Sequence, residues 1–376
     1  MVQAERTSAG LRNVVVSESQ ISSIDGTRGI LAYRGIDIHA LAEHSSFEEV
    51  VYLLHQGTLP RRAALQTLNE ELVRERGVPP EMLEILRRLP RDTHPMASLR
   101  TLVSALGALQ DEPEGGAEAL GRVARRLTAQ MATLVAMISR VRQGREPVAP
   151  DGSNLGHAAN FLYMLTGTRP GREAARAMDV ALVLHADHEF NASTFAARIA
   201  ASTLADMHGA VTAALATLKG PLHGGANEAV MRSLESIGSP ERAEEWAREA
   251  FAAKRKLMGF GHAVYKTEDP RATHLRVMAR TLGEQAGDSR WYAIAERLEG
   301  AVRAQKGLYP NVDFYSAPAY RALGIPMELF TPVFAVSRIA GWTAHIMEQL
   351  ANNRLIRPES EYTGPKDVPY ISIDQR

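Results

Sequence analysis

Several short segments carry side chains better suited to moving protons or holding anions than to covering a helix. In Leu184-His185-Ala186-Asp187-His188-Glu189 the spacing puts His185, His188 and Glu189 at i, i+3 and i+4, on one face of a helix. Such a face could bind a metal ion, form a hydrogen-bonded polar patch, or offer one imidazole to a substrate. The order is not His-Glu-x-x-His, and no histidine is followed directly by aspartate, which weighs against a metal. In Gly220-Pro221-Leu222-His223-Gly224-Gly225 a histidine sits in a tight turn just ahead of a helix. Small neighbours let a ligand approach the backbone, and the helix N-terminus favours developing negative charge. That terminus would also keep the imidazole neutral, a hydrogen-bond donor rather than a cation. The plain alternative is a loop histidine with no role.

A second histidine, His262, follows Gly259-Phe260-Gly261, and Arg271 follows Asp269-Pro270 in a first helical turn. A cation there is poorly placed unless an anion accompanies it: a substrate carboxylate, or a pair with Glu268 or Asp269. Asp313 stands among apolar residues at another helix start, either as a cap or as a general base shielded from water. Arg338 lies in a helix that is apolar on nearly every side, and a buried guanidinium calls for a carboxylate or phosphate.

These groups need a scaffold, and the composition narrows it. The chain has 376 residues, 45% hydrophobic and 23% charged, enough for two or three domains with a real core. Lys+Arg and Asp+Glu both number 43, so no whole-chain attraction to nucleic acid or anionic membrane is expected. The absence of cysteine removes disulfides, thiolate nucleophiles and iron–sulfur or cysteine-zinc sites, and fits a reducing compartment. Met1–Leu11 has no signal-peptide core, and Phe334–Leu350, the most apolar window, carries Arg338, His345 and Glu348. A soluble cytoplasmic protein is expected.

The only β signal lies in residues 12–36, where Val14-Val15-Val16 and Ile30-Leu31-Ala32-Tyr33 flank the turn Asp25-Gly26. Beyond it the helical period takes over. Ser46-Phe47-Glu48-Glu49 is a capping box opening a helix that stops by Gly57 and Pro60. Helices are predicted near 61–76, 94–110, 117–143, 155–166, 171–187 and 192–218, then 225–237, 241–257, 270–286, 289–306, 312–322 and 326–353. The fold class is all-α with a short β segment near the N-terminus, and no internal repeat is present.

Taken in order, Pro221-Leu222-His223-Gly224, Gly259-Phe260-Gly261-His262-Ala263-Val264 with Asp269-Pro270-Arg271, Asn311-Val312-Asp313 and Val336-Ser337-Arg338 resemble the citrate synthase family. Weaker similarity runs from Ile24-Asp25-Gly26 to Tyr362-Thr363-Gly364. The resemblance implies an all-α homodimer, with a large domain of residues 1–224 and 325–376 and a small domain of 225–324. The active site would lie in the cleft between them, closing on oxaloacetate. It implies that Asp313 takes a proton from acetyl-CoA, His223 donates to the enolate oxygen, and His262 donates to the oxaloacetate carbonyl. His188, Arg271, Arg338 and a partner-subunit arginine would hold the dicarboxylate, the last being Arg357 with Arg354 as the rival. Lys256, Leu257, Met258, Gly259 and Phe260 resemble the loop that wraps the adenine of CoA, and Lys266 a contact to its phosphates.

The resemblance implies no metal and no permanent cofactor. Ala263 replaces an arginine common in bacterial relatives, though other citrate synthases also carry alanine there. The chain begins at the common core, so a dimer without NADH inhibition is expected. The nearest alternative is 2-methylcitrate synthase acting on propionyl-CoA, because one methylene is worth only about 1–3 kcal/mol of discrimination. A non-enzymatic helical scaffold would leave the three histidines and the aspartate at loops and helix starts unexplained.

Overall fold

The computed structural model describes residues 9–11, 14–110, 116–153 and 155–376; most of the Met1–Leu11 stretch lies outside them. Strands β1 (Ser22–Asp25), β2 (Ile30–Tyr33) and β3 (Ile36–Asp37) form one small antiparallel sheet in the order β1-β2-β3, with Ser22 opposite Tyr33 and Asp25 opposite Ile30. The Asp25-Gly26 turn is therefore a hairpin, but the first strand is not Val14-Val15-Val16, which is exposed and irregular. A four-residue turn pairs the residues directly on either side of it, so Ser22–Asp25 takes the ladder and the valines, six residues further off, cannot.

The described residues contain sixteen α-helices: α1 (Ile38–His44), α2 (Phe47–Gln56), α3 (Arg62–Arg74), α4 (Glu81–Arg88), α5 (Pro95–Leu109), α6 (Gly116–Arg142), α7 (His157–Thr166), α8 (Arg172–His185), α9 (Ala192–Ser202), α10 (Met207–Leu218), α11 (Ala226–Ile237), α12 (Ala243–Ala252), α13 (Pro270–Gln285), α14 (Arg290–Lys306), α15 (Val312–Ala322) and α16 (Phe330–Ala351). The fold is all-α, as the sequence indicated. The capping box at Ser46 is complete in both directions. Two short helices, α1 and α4, escaped the sequence reading, seven and eight residues giving little periodicity to detect.

The predicted 192–218 helix is two helices. Leu204 takes a left-handed φ of 63°, and Asp206 caps the new start by accepting from the Gly209 N–H at 2.6 Å. The 241–257 helix stops at Ala252, where Lys254 turns left-handed.

α16 is the axis of the molecule. It packs against α2, α6, α8, α9 and α10, and its side chains from Phe330 to Ile346 are buried on all sides. α11 and α13 pack on α15, and α12 and α13 on α14. Gly341 lets α16 press against the end of α8, since a Cβ there would stand 2.4 Å from the Ala186 carbonyl. At the end of α8, His185 lies against Phe334 of α16 and Tyr320 of α15, so that α8, α15 and α16 meet beside the chemistry-bearing loops.

Candidate active site

Backbone contacts first tie the loops together. Gly259, at φ 84°, has no room for a Cβ, which would meet Val230 at 2.5 Å and Phe314 at 2.9 Å. Its carbonyl accepts from Asn311 N–H (2.9 Å), and Gly261 N–H donates to the Tyr309 carbonyl (2.9 Å). Asn311 then caps α15, accepting from the Asp313 N–H at 3.1 Å. These bonds join the His262 loop to the start of α15.

His262 Nδ1 accepts from the backbone N–H groups of Val264 (3.0 Å) and Tyr265 (3.3 Å). An atom accepting two N–H bonds carries no proton, so the hydrogen is on Nε2, ready to donate. Burial, aided by Arg271, pushes this imidazole down to about 4, and it is neutral near pH 7.

His223 shows the converse arrangement. Its Nε2 lies 2.8 Å from Ser193 Oγ and accepts the Ser193 N–H at 3.3 Å, an otherwise orphaned donor in the first turn of α9. An Nε2 that accepts this N–H carries no proton, which places the hydrogen on Nδ1; the Ser193 hydroxyl, which also donates to Asn191 Oδ1 at 2.8 Å, does not by itself decide the tautomer. Trp342 Nε1–H donates to the same Ser193 Oγ at 3.1 Å. His223 is also pushed down to about 4, by burial first and then by Arg338. It is neutral as expected, but burial rather than the α11 N-terminus is the main cause.

α8 ends at His185 and Glu189 adopts φ 49°, so His185, His188 and Glu189 do not share the helix face that their spacing suggested. They go separate ways. His185 Nδ1–H donates to the Ala181 carbonyl at 2.8 Å, and Glu189 accepts from the Ile24 N–H at 2.8 Å. His188 turns toward His262, ring centroids 5.2 Å apart, with its Nε2 3.1 Å from the Tyr265 hydroxyl. Burial and the Arg271 charge hold His188 well below the usual histidine range. No group of three or more His, Asp or Glu side chains among the described residues is arranged to hold a metal ion.

Arg271 and Arg338 supply the positive charge. Arg271 is bound twice by Asp269, Nε to Oδ1 at 2.9 Å and Nη2 to Oδ2 at 2.7 Å, both residues being buried. Of the two partners open in the sequence, Asp269 is the one used. It holds the guanidinium above its usual pKa against the cost of burial. Asp269 also accepts from the Val312 N–H at 3.2 Å, linking Arg271 to the start of α15. Arg338 donates through Nε to the His185 carbonyl (2.7 Å) and lies over the Phe334 ring, 4.6 Å from its centroid. Among the described residues no carboxylate forms an ion pair with it, and burial lowers it to about 10.

Asp313 is half-buried as a residue, yet its Oδ1 is sealed off and lacks any hydrogen-bond partner among the described residues. Burial first, and Asp269 next, raise this carboxyl to about 7 against the pull of Arg271 and Arg338. An ordinary aspartate would start fully ionised; this one is poised between acid and base at neutral pH.

The remaining sequence candidates fall nearby or elsewhere. Phe260 packs at a tilt against Phe314, centroids 4.4 Å apart, and Leu257 and Met258 pack on the core edge, while Lys256 and Lys266 are exposed. Arg357 and Arg354 are exposed in the tail after α16, lining an open groove with Arg198 and Glu348, and do not reach Asp313 in the single chain. Ser193, Trp342, Tyr265 and Asp269 were missed as site residues. Only Asp269 left a local signal, its place as the cap before Pro270.

A mainly helical scaffold that gathers neutral histidines, two buried guanidiniums and a shielded carboxylate is suited to transferring protons beside a bound anion. The family model "Citrate synthase, C-terminal domain" matches residues 10–359. The chain is 50% identical to citrate synthase 2 of Bacillus subtilis over 98% of both chains, and 41% identical to the 2-methylcitrate synthase of Shewanella oneidensis with the same coverage. It is similar at a TM-score of 0.93, with 35% identity over 99% of this chain and 100% of the other, to the Thermoplasma acidophilum citrate synthase solved as a ternary complex with carboxymethyl coenzyme A and oxaloacetate. The chain belongs to the citrate synthase family and is an acyl-transferring enzyme.

Proposed function

We propose that the chain condenses oxaloacetate with acetyl-CoA and water, giving citrate and free CoA, as the entry step of the tricarboxylic acid cycle in the cytoplasm. The observation that carries this reading is the pair of neutral histidines with opposite tautomers. His223 keeps Nδ1–H and His262 keeps Nε2–H, two donors in a site that also holds a base.

Asp313 takes a proton from the methyl carbon of the thioester, and its raised pKa makes it a stronger base for this weak carbon acid. His223 Nδ1–H donates to the thioester oxygen as it gains enolate character. The enolate carbon attacks the ketone carbon of oxaloacetate, and His262 Nε2–H donates to the oxygen that becomes the citrate hydroxyl. Water then cleaves the thioester, releasing CoA as a thiol. Arg338, free of carboxylate partners, and His188 bind the dicarboxylate, and Arg271 joins them while braced by Asp269. Burial of these groups excludes the water that would quench the enolate.

Residues 1–224 with 325–376 form the large domain and 225–324 the small one, with the site between them. The Lys256–Phe260 loop and Lys266 receive CoA. A homodimer completes the site with Arg357 from the second copy, a reading supported by the exposure of that arginine in the single chain.

Thiol release from acetyl-CoA, followed with a thiol-reactive dye with and without oxaloacetate, tests the reaction. The chain has no cysteine and so no thiol background. Oxaloacetate-dependent release is expected, and its absence from folded protein would overturn the proposal. The second reading, condensation of propionyl-CoA to 2-methylcitrate, is favoured by the Shewanella oneidensis relative. A higher kcat/KM for propionyl-CoA in the same assay would select it.

A further inference from the structure

The β1–β2 hairpin is distant in sequence from every catalytic candidate, yet it touches both loops that carry the substrate histidines. On one side Ser22 Oγ–H donates to Asp187 Oδ2 (2.5 Å) and Oγ accepts the Glu189 N–H (3.0 Å). Ile24 N–H donates to Glu189 Oε1 (2.8 Å), and the Tyr33 hydroxyl lies 3.1 Å from the Asp187 carbonyl. His188 is the residue between these two anchored neighbours. On the other side Lys266 N–H donates to the Gly26 carbonyl at 2.8 Å.

Gly26 faces Val264 so closely that a Cβ would stand 2.3 Å from the Val264 carbonyl oxygen and 2.8 Å from its carbon. Gly26 does not occupy the left-handed region, so glycine serves space here and not backbone freedom. Val264 in turn provides the nearer of the two N–H groups that set the His262 tautomer.

We propose that the hairpin is a two-sided clamp that sets the His188 loop and the His262 loop at substrate spacing, with Gly26 as a positioning residue whose missing side chain lets the clamp close on Val264. The inference rests on the assignment of both loops to oxaloacetate. Displacing reacting groups by about 1 Å can cost on the order of 10²-fold, and an alanine methyl at Gly26 demands a shift of that size.

Gly26→Ala is compared with Gly35→Ala, a position in the adjoining β2–β3 turn at φ 82° with nothing within 4 Å of an added Cβ. Gly26→Ala is expected to raise the oxaloacetate KM and lower kcat by about tenfold or more each, while the acetyl-CoA KM stays within about threefold. Gly35→Ala is expected to lower Tm and leave the kinetic constants within about twofold. A folded Gly26→Ala variant with oxaloacetate KM and kcat within about twofold of wild type overturns the clamp. Should Gly26→Ala fail to fold, Ser22→Ala loosens the other grip without a clash, removing the side-chain bonds to both Asp187 and Glu189. A rise of about fivefold in oxaloacetate KM is then expected, and an unchanged KM overturns the inference.

Calorimetric titration with oxaloacetate separates this inference from the reaction itself. If wild type binds oxaloacetate without turnover, the condensation falls and the clamp still requires a Kd weakened about tenfold in Gly26→Ala, equal values overturning it. A wild type that neither binds nor turns over oxaloacetate overturns both.

Discussion

Replacing Asp313 with asparagine should make the protein more stable and nearly inactive, and the gain in stability should depend on pH in a calculable way. Its carboxyl rises from the ordinary 3.8 to about 7 in the folded state, a free-energy difference of about 4 kcal/mol. Because the folded-state value is the raised one, the stability linked to this proton is complete below pH 3.8 and lost as the pH rises through 7. At pH 8.5 the folded wild type carries the charge and bears the whole cost. At pH 5.5 the folded state holds a proton that the unfolded chain lacks, recovering about 2 kcal/mol. Asparagine does not titrate, so whatever its amide gains or loses in the site is the same at both pH values.

The variant-minus-wild-type difference in unfolding free energy should therefore be about 2 kcal/mol more favourable to the variant at pH 8.5 than at pH 5.5. Urea unfolding at both pH values and one protein concentration measures it, and other titrating groups cancel in the difference. Turnover should fall by roughly 10²–10⁴. Equal stability differences at the two pH values would refute the claim that burial holds this carboxyl toward its neutral form. Near-normal turnover would remove Asp313 as the base.

The same carboxyl should govern the pH profile: with oxaloacetate saturating, kcat/KM for acetyl-CoA should fall below about pH 7 as Asp313 takes up its proton. His223 and His262, both near 4, should add no step above pH 5; a flat profile from pH 5.5 to 8.5 would show an ordinary ionised aspartate. Ser193→Ala frees His223 Nε2 from its 2.8 Å hydroxyl contact while keeping the backbone N–H, and kcat should drop about tenfold with the oxaloacetate KM within about threefold; an unchanged kcat would mean the hydroxyl does not orient the ring. Arg357→Ala mixed with Asp313→Asn should regain partial activity through hybrid dimers, and no recovery after verified subunit exchange would deny Arg357 a role across the interface.

What the sequence disclosed about the site depended on how local each cause is. Helix caps are local, so Asp269-Pro270 could be read from a few residues and the helix it opens lies where expected; α15 also starts where expected, but its cap is Asn311 and not Asp313, which the sequence offered for that role. The face shared by His185, His188 and Glu189 was misread because the end of α8 is decided from elsewhere: Gly341 of α16 presses on Ala186, and Ser22 and Ile24 of the hairpin hold Glu189. The tautomer of His223 depends on Ser193, thirty residues away in sequence, and that of His262 on how its loop folds the Val264 and Tyr265 N–H groups back onto the ring.

Arg271 shows why the remainder needed coordinates. Asp269 is both cap and ion partner, and two buried residues in mutual contact leave a nearly neutral unit that burial can tolerate. Arg338 has no such partner and spends part of its donor capacity on the His185 carbonyl. A cation sealed in a helical core without a carboxylate is costly in the empty protein and favourable once an anion arrives. Under the proposed function, that asymmetry would make Arg338, rather than the already braced Arg271, the group whose neutralisation contributes most to dicarboxylate binding.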